Sequence, residues 1–247
     1  MIVGLLVVAF LAGLVDAIAG GGGLLTVPAL LAVGLPPHVA LGTNKGQAVW
    51  GTGASLVGYV RAGLVDRKRA PAVFAAGFVG SLGGAALVLL LAPEVLRPVV
   101  LVLLVAVAGF LAFRPPLHPA PPRVPPRWEV PVLWTLAVTF GAYDGFFGPG
   151  TGTFLILGFV FLLGHGLTRA SAEAKVVNFA SNLAAFLLFA AQGKVDWAIA
   201  LPMAGAQLVG GYTGSQIALR GGDRLVRWVV LCVVVALVLK LAHDAAG

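Results

Sequence analysis

Long apolar stretches alternate along this chain with short connections rich in Gly, Pro, Asp and Arg. The apolar runs cover 70–92, 99–113, 176–191, 197–219 and 225–242. Several approach the roughly 20 apolar residues that a helix needs to cross a bilayer, and a spanning segment must close its own backbone hydrogen bonds. The runs are continuous and do not alternate with period two, which argues against a transmembrane β-barrel. The pattern therefore predicts an all-α polytopic membrane protein. An apolar run at the start, 2–19, breaks at Gly20-Gly21-Gly22-Gly23 and resumes over 24–34. At about 1.5 Å per residue the second piece is too short to span alone. It reads as a half-helix, a re-entrant arm or part of one kinked helix.

Residues 114–131 hold eight of the sixteen prolines, together with Arg123 and Arg127. Such a stretch is expected to be an extended, solvated connector. It separates a first transmembrane repeat, 1–113, from a second, 132–247, whose polar landmarks correspond. Asp16 and Asp144 each precede a glycine tract, Gly20–Gly23 and Gly148-Pro149-Gly150-Thr151-Gly152, at an offset of 128. Lys45 matches Lys175, and Gly63-Leu64-Val65-Asp66 matches Gly193-Lys194-Val195-Asp196, at an offset of 130. Apolar residues match by chance; Asp, Lys and G-x-V-D in one order do not. Each repeat is expected to hold a glycine-broken first segment followed by three helices.

Composition supports the membrane reading. The 247 residues are 60% hydrophobic and 10% charged, with a mean hydropathy of +1.02, whereas a soluble domain carries about a quarter charged residues. The net charge of +7 sits largely in Arg residues of the connections, as the positive-inside rule predicts. No basic stripe interleaves with aromatics, so nucleic acid is not an expected partner. The single cysteine, Cys232, excludes an intrachain disulfide and is expected to pack in the last apolar run. Met1-Ile2-Val3-Gly4 lacks a basic n-region, so the first segment is expected to remain in the mature protein. Arg61, Arg67, Lys68 and Arg69 mark one connection as cytoplasmic, and Arg114, Arg123 and Arg127 put the linker on that side. An odd number of crossings in the second half brings Arg220, Arg224 and Arg227 there too, leaving only Arg97, Lys194 and Lys240 outside. The tally favours inverted halves, an arrangement common in secondary transporters.

Charges inside membrane segments are costly and are functional candidates by default. Four recur as two sets: Asp16 with Lys45, and Asp144 with Lys175. In the plainer reading each set neutralises itself and pins the broken segment to the next helix. Lys175, Asn178 and Asn182 share one helix face at i, i+3 and i+7, with Ser181 beside it. On the corresponding helix Thr43, Gln47, Gly51 and Ser55 form a stripe, with Asn44 and Lys45 at its start. Amides and hydroxyls around an ammonium suit a small oxyanion, although interhelical hydrogen bonding is the alternative use of such residues. The glycine tracts, with Gly21, Gly22, Gly150 and Thr151 at their centres, would present helix N-termini to the same anion; close helix packing is the alternative. Glu173 lies about half a turn from Lys175 and is expected nearer a membrane surface. His38, His118, His165 and His243 lie in or beside connections without metal-ligand spacing. No metal, cofactor or enzyme activity is assigned.

The tract from Asp16 to Leu30, with Gly42-Thr43-Asn44-Lys45-Gly46-Gln47-Ala48, resembles the TauE/SafE sulfite-exporter-like family. So do Tyr143-Asp144-Gly145-Phe146-Phe147-Gly148-Pro149-Gly150 and Ala174-Lys175-Val176-Val177-Asn178-Phe179-Ala180-Ser181-Asn182. The likeness covers essentially the whole chain outside the linker. It implies a multi-pass permease of the bacterial inner membrane, with about eight spanning segments, handling sulfite, organosulfonates or other small organic anions. The expected function is secondary transport of a small anion. Lys45, Lys175, Asn44, Thr43, Gln47, Asn178, Ser181, Asn182 and the glycine tracts would form the site, and Asp16 and Asp144 would couple protons. A non-transporting membrane scaffold and a cation transporter using the two aspartates are the alternatives. The lipid bilayer, the anion and protons are the expected partners, and a homodimer is compatible with the sequence.

Overall fold

The computed structural model describes residues 1–113 and 123–246, with 108, 111–113 and 223–246 as backbone only. Helix α1 (Ile2–Ala19) ends at the glycine tract, and α2 (Gly23–Ala32) follows it. Three longer helices come next: α3 (Pro37–Arg61), α4 (Ala70–Leu89) and α5 (Pro93–Phe113). A 3-10 turn at Pro126–Trp128 leads into α6 (Glu129–Phe146), then α7 (Thr151–Leu163), α8 (Leu167–Ala191) and α9 (Trp197–Ala246). The described residues contain no strand. The chain is an all-α polytopic membrane protein.

One detail departs from the expectations. The prolines were expected to keep the chain extended to 131, yet α6 begins at Glu129. Pro131 lies in the first turn of that helix, where a missing N–H leaves no intrahelical bond unmade. Ahead of α6, Arg123 and Val124 donate backbone N–H bonds of 3.1 and 3.2 Å to Leu162 O, holding that part of the connector to α7. The last two apolar runs are two helices, joined within α9 at a kink where Gly222 leaves helical geometry with a φ of 57° that suits glycine. Residues 114–122, His118 among them, lie outside the described residues, as do the side chains of Cys232, Arg224, Arg227, Lys240 and His243.

Among the described residues, α1, α4 and α8 are long and apolar enough to cross a membrane. Helix α3 is equally long but carries Thr43, Asn44, Lys45 and Gln47, all buried. A polar helix of this kind belongs inside the bundle, where neighbours shield it from lipid. Helix α3 packs against α8 and α9, α4 against α6 and α8, and α1 against α9. The outer surface bears Val79, Leu87, Val102, Leu201 and Val209, all exposed, as suits a face in contact with acyl chains.

Backbones approach so closely at two of these seams that only glycine fits. A Cβ on Gly80 or Gly84 of α4 would lie 2.3 Å from Val138 O or 1.9 Å from Ala142 O of α6. On Gly210 or Gly214 of α9 it would lie 2.1 Å from Phe10 O or 2.5 Å from Leu14 O of α1. Small residues at such crossings replace the hydrophobic drive that lipid removes.

Outside the apolar region, Arg69 donates to Glu129 at 2.5 Å, joining the 62–69 connection to the start of α6. The Asp66 carboxyl is held below the usual carboxylate range, chiefly by the backbone N–H of Lys68.

Candidate functional site

The two broken helices meet in the middle of the bundle. Gly20 and Gly21 take φ of 72° and 93° between α1 and α2, and Gly148 and Gly150 take 101° and 86° between α6 and α7. These left-handed conformations end one helix and redirect the chain into the next within a few residues. The breaks touch: Thr153 donates to Ala19 O at 3.0 Å, and a Cβ on Gly20 would lie 2.3 Å from the Gly152 carbonyl carbon. The N-terminal ends of α2 and α7 thus face a common point between α3 and α8.

A small cavity lies there, about 30 Å3 of water-accessible space, enough for one or two waters. Asp16, Gly21, Gly22, Asn44, Lys45, Asp144, Thr151, Asn178 and Asn182 were all candidates from sequence, and all line it.

The charges pair across the halves of the chain, correcting the expectation that each aspartate would serve the lysine of its own half. Lys45 Nζ lies 2.9 Å from Asp144 Oδ1, and Lys175 Nζ lies 2.8 Å from Asp16 Oδ2. Both lysines are buried to within 1%. The physical reason is the packing of α4 on α6 and of α1 on α9, which brings the end of each broken helix beside the polar helix of the other half.

Amide orientation adds to this. Asn44 Oδ1 accepts from Thr26 Oγ1 at 2.5 Å and Gln47 Nε2 at 3.3 Å, and Asn182 Oδ1 accepts from Lys45 Nζ at 3.2 Å. With both carbonyls engaged, each side chain has its NH2 left to offer a ligand. Two other amides in the wall face the opposite way. The buried carbonyl oxygens of Asn178 and Gln207 have no partner among the described residues, and a buried acceptor left so costs about 1–3 kcal/mol. A hydrogen-bearing ligand or a water satisfies them.

Other candidates have different positions. Thr43 accepts the backbone N–H of Asp196 at 2.9 Å, fastening α3 to the connection before α9. Gln47 supports Asn44, and Ser181 donates to Asp144. Lys175 reaches Asp16 from behind the wall. Gly150 caps α7 and packs against Val107, 2.5 Å from where a Cβ would be. Gly23, Gly148 and Gly152 of the expected glycine tracts also line the cavity, and Ala48, Thr52 and Gln207 line it without having been candidates. Gln207 could have been found, since it is the sole side-chain amide between Trp197 and Gly211. Glu173 lies apart from the cavity, 2.9 Å from Arg169 Nε and 2.6 Å from His165 Nδ1. Among the described residues no three His, Cys, Asp or Glu side chains gather as metal ligands would.

A family model described as "Sulfite exporter TauE/SafE" matches residues 5–241. The "Probable membrane transporter protein ORF9" of Sinorhizobium sp is 38% identical over 242 residues, spanning 97% of this chain and 92% of that protein. The "Probable membrane transporter protein YfcA" of Escherichia coli K12 is 39% identical over 240 residues, 97% of this chain and 89% of its own. A "Probable membrane transporter protein" of Haemophilus influenzae is 36% identical over 238 residues, 96% and 92% of the two chains. No solved structure matches the chain.

Proposed function

This chain belongs to the sulfite exporter TauE/SafE family of membrane transporters, and from that premise we propose that it is a secondary transporter for a small anion in the bacterial inner membrane. One observation carries the reading: two buried lysines, Lys45 in the wall and Lys175 behind it, are each tied to an aspartate of the opposite half that lines a cavity between two broken helices. Asn44 and Asn182 turn donors toward that cavity, and the N-termini of α2 and α7 add positive dipole ends. These are the groups an oxyanion such as sulfite, a sulfonate or a small carboxylate requires. The substrate anion competes with the aspartates for the lysines, and protonation of an aspartate releases its lysine. Proton coupling therefore falls to the aspartates of these two pairs, Asp16 and Asp144 being its candidates.

Residues 1–113 and 132–247 act as two inverted repeats that rock about this site. The glycine seams support this reading, because Gly80 and Gly84 of α4 meet α6 as Gly210 and Gly214 of α9 meet α1. Uptake of labelled sulfite, sulfoacetate and small carboxylates into proteoliposomes tests the function. Lys45→Ala and Lys175→Ala should each abolish uptake while leaving folded protein in the membrane. Normal transport by both variants would remove the lysines from the mechanism.

A second reading has its own observation. The unpartnered oxygens of Asn178 and Gln207, beside Asp16, offer a cation three oxygen ligands. Thermal stabilisation by sodium and by no anion would select it.

A further inference from the structure

The two Lys–Asp pairs resemble each other in sequence but differ in their surroundings, and the difference assigns them separate tasks. We infer that Asp16, and not Asp144, accepts the proton that accompanies the anion, so that the Asp16–Lys175 pair opens during transport while Lys45–Asp144 stays closed. The inference rests on the anion reading above for the identity of the accompanying ion, but the choice between the aspartates stands on geometry.

Charge balance comes first. Asp16, Asp144 and Lys45 line the cavity and Lys175 is paired to Asp16 behind its wall; the four charges sum to zero, and no other charged side chain lines the cavity among the described residues. A monoanion entering alone leaves one uncompensated negative charge in a poorly polarisable interior, an arrangement that buried sites do not sustain. A proton arriving with it restores neutrality: an O–H bond forms on one carboxylate, its lysine loses that counter-charge, and the anion takes its place. One proton then moves with each monoanion.

The donors decide which carboxylate takes the proton. Asp144 accepts from Lys45 at 2.9 Å, from Thr151 Oγ1 at 3.1 Å and from Ser181 Oγ. Each of these bonds favours the ionised carboxylate. Asp16 accepts from Lys175 at 2.8 Å and, at a long 3.4 Å, from the backbone N–H of Gly22. The difference is written in the repeat. At the offsets that align the halves, Thr151 corresponds to Gly23 and Ser181 to Gly51, so the first half lacks both hydroxyls. Both aspartates line the cavity, and Asp16 is the more open side chain, at 14% exposure against 5% for Asp144.

The charged groups facing Asp16 are Lys175 from α8 and, across the cavity, Lys45 from α3 and Asp144 from α6. Helices α2 and α7 bring no charged side chain, and α9 brings the neutral Gln207 to the cavity. The Tyr59 hydroxyl is committed to Ala17 O at 2.8 Å.

The test is infrared difference spectroscopy of the full protein in lipid, titrated through the acidic range with and without methanesulfonate, a monoanion throughout that range. Wild type should gain a carboxylic-acid C=O band on acidification, and methanesulfonate should bring the band in at higher pH. Asp16→Asn should abolish it. Asp16→Glu should shift the band and keep it, which separates loss of the group from loss of the fold. A second band should emerge in the Thr151→Ala/Ser181→Ala double variant, where Asp144 keeps only its lysine. Persistence of the wild-type band in Asp16→Asn overturns the assignment. An Asp16 band that methanesulfonate and sulfoacetate both leave unmoved refutes the coupling and the anion reading together, while upholding Asp16 as the titrating residue.

Discussion

Replacing Lys45 with Met isolates what the cross-half pairing contributes. The substitution leaves Asp144 charged, 5% exposed and without its cation. Breaking a buried pair by removing one partner typically costs about 3–5 kcal/mol. Here Thr151 and Ser181 remain as donors to the stranded carboxylate, which places the expected loss near the lower end, about 3 kcal/mol. For a chain of this size that corresponds to a fall in melting temperature of roughly 6–12 °C. Adding Asp144→Asn removes the stranded charge, and the double variant loses only about 1 kcal/mol through hydrogen bonds imperfectly replaced, or roughly 2–4 °C. Neither variant transports. Thermal melting of the detergent-purified proteins, followed by tryptophan fluorescence, reads both effects. A single variant melting within about 2 °C of wild type, or a double variant melting as low as the single, would refute the pairing as the source of stability.

Two further outcomes follow from other parts of the molecule. Gly84→Ala puts a methyl 1.9 Å from Ala142 O, whereas Gly83→Ala meets nothing within 4 Å; the first should lose about 1–3 kcal/mol by forcing α4 off α6, and the second should be neutral or gain up to about 1 kcal/mol of helix propensity. Equal melting temperatures for the two would contradict the close crossing. Because the Asp66 carboxyl is held below its usual range by the Lys68 N–H, its contribution is complete above the unfolded value, about 3.9, and is lost as pH falls through the folded value. Hydrogen exchange in the 62–69 connection, corrected for intrinsic rate, should therefore rise only below about pH 4; a rise between pH 5 and 7 would implicate another group.

Much of this was legible in the amino-acid order. The apolar runs and glycine tracts located the helix breaks, because glycine is the residue that adopts positive φ without strain, and α1 ends at Ala19 with α2 beginning at Gly23. Burial of Lys45 and Lys175 was legible from their place in long polar-striped helices, since a charge there has nowhere to go but inward. Residue type and spacing also picked out most of the cavity wall, from Asp16 to Asn182.

Tertiary structure alone decided who pairs with whom. Spacing along a chain reports which residues share a helix face, but it carries no information on which half of the bundle that face meets. Hence Lys45 goes to Asp144, Lys175 to Asp16, and Thr43 and Ser181 to structural bonds away from the cavity surface. Gln207 joined the wall because α9 crosses α1 and α3 at glycines, bringing an otherwise isolated amide to the centre. The inequality of the two aspartates has both origins. The sequence holds the substitutions of Gly23 for Thr151 and Gly51 for Ser181, and only the folded bundle aims those hydroxyls at a carboxylate, because hydrogen bonds depend on distances that no one-dimensional spacing sets.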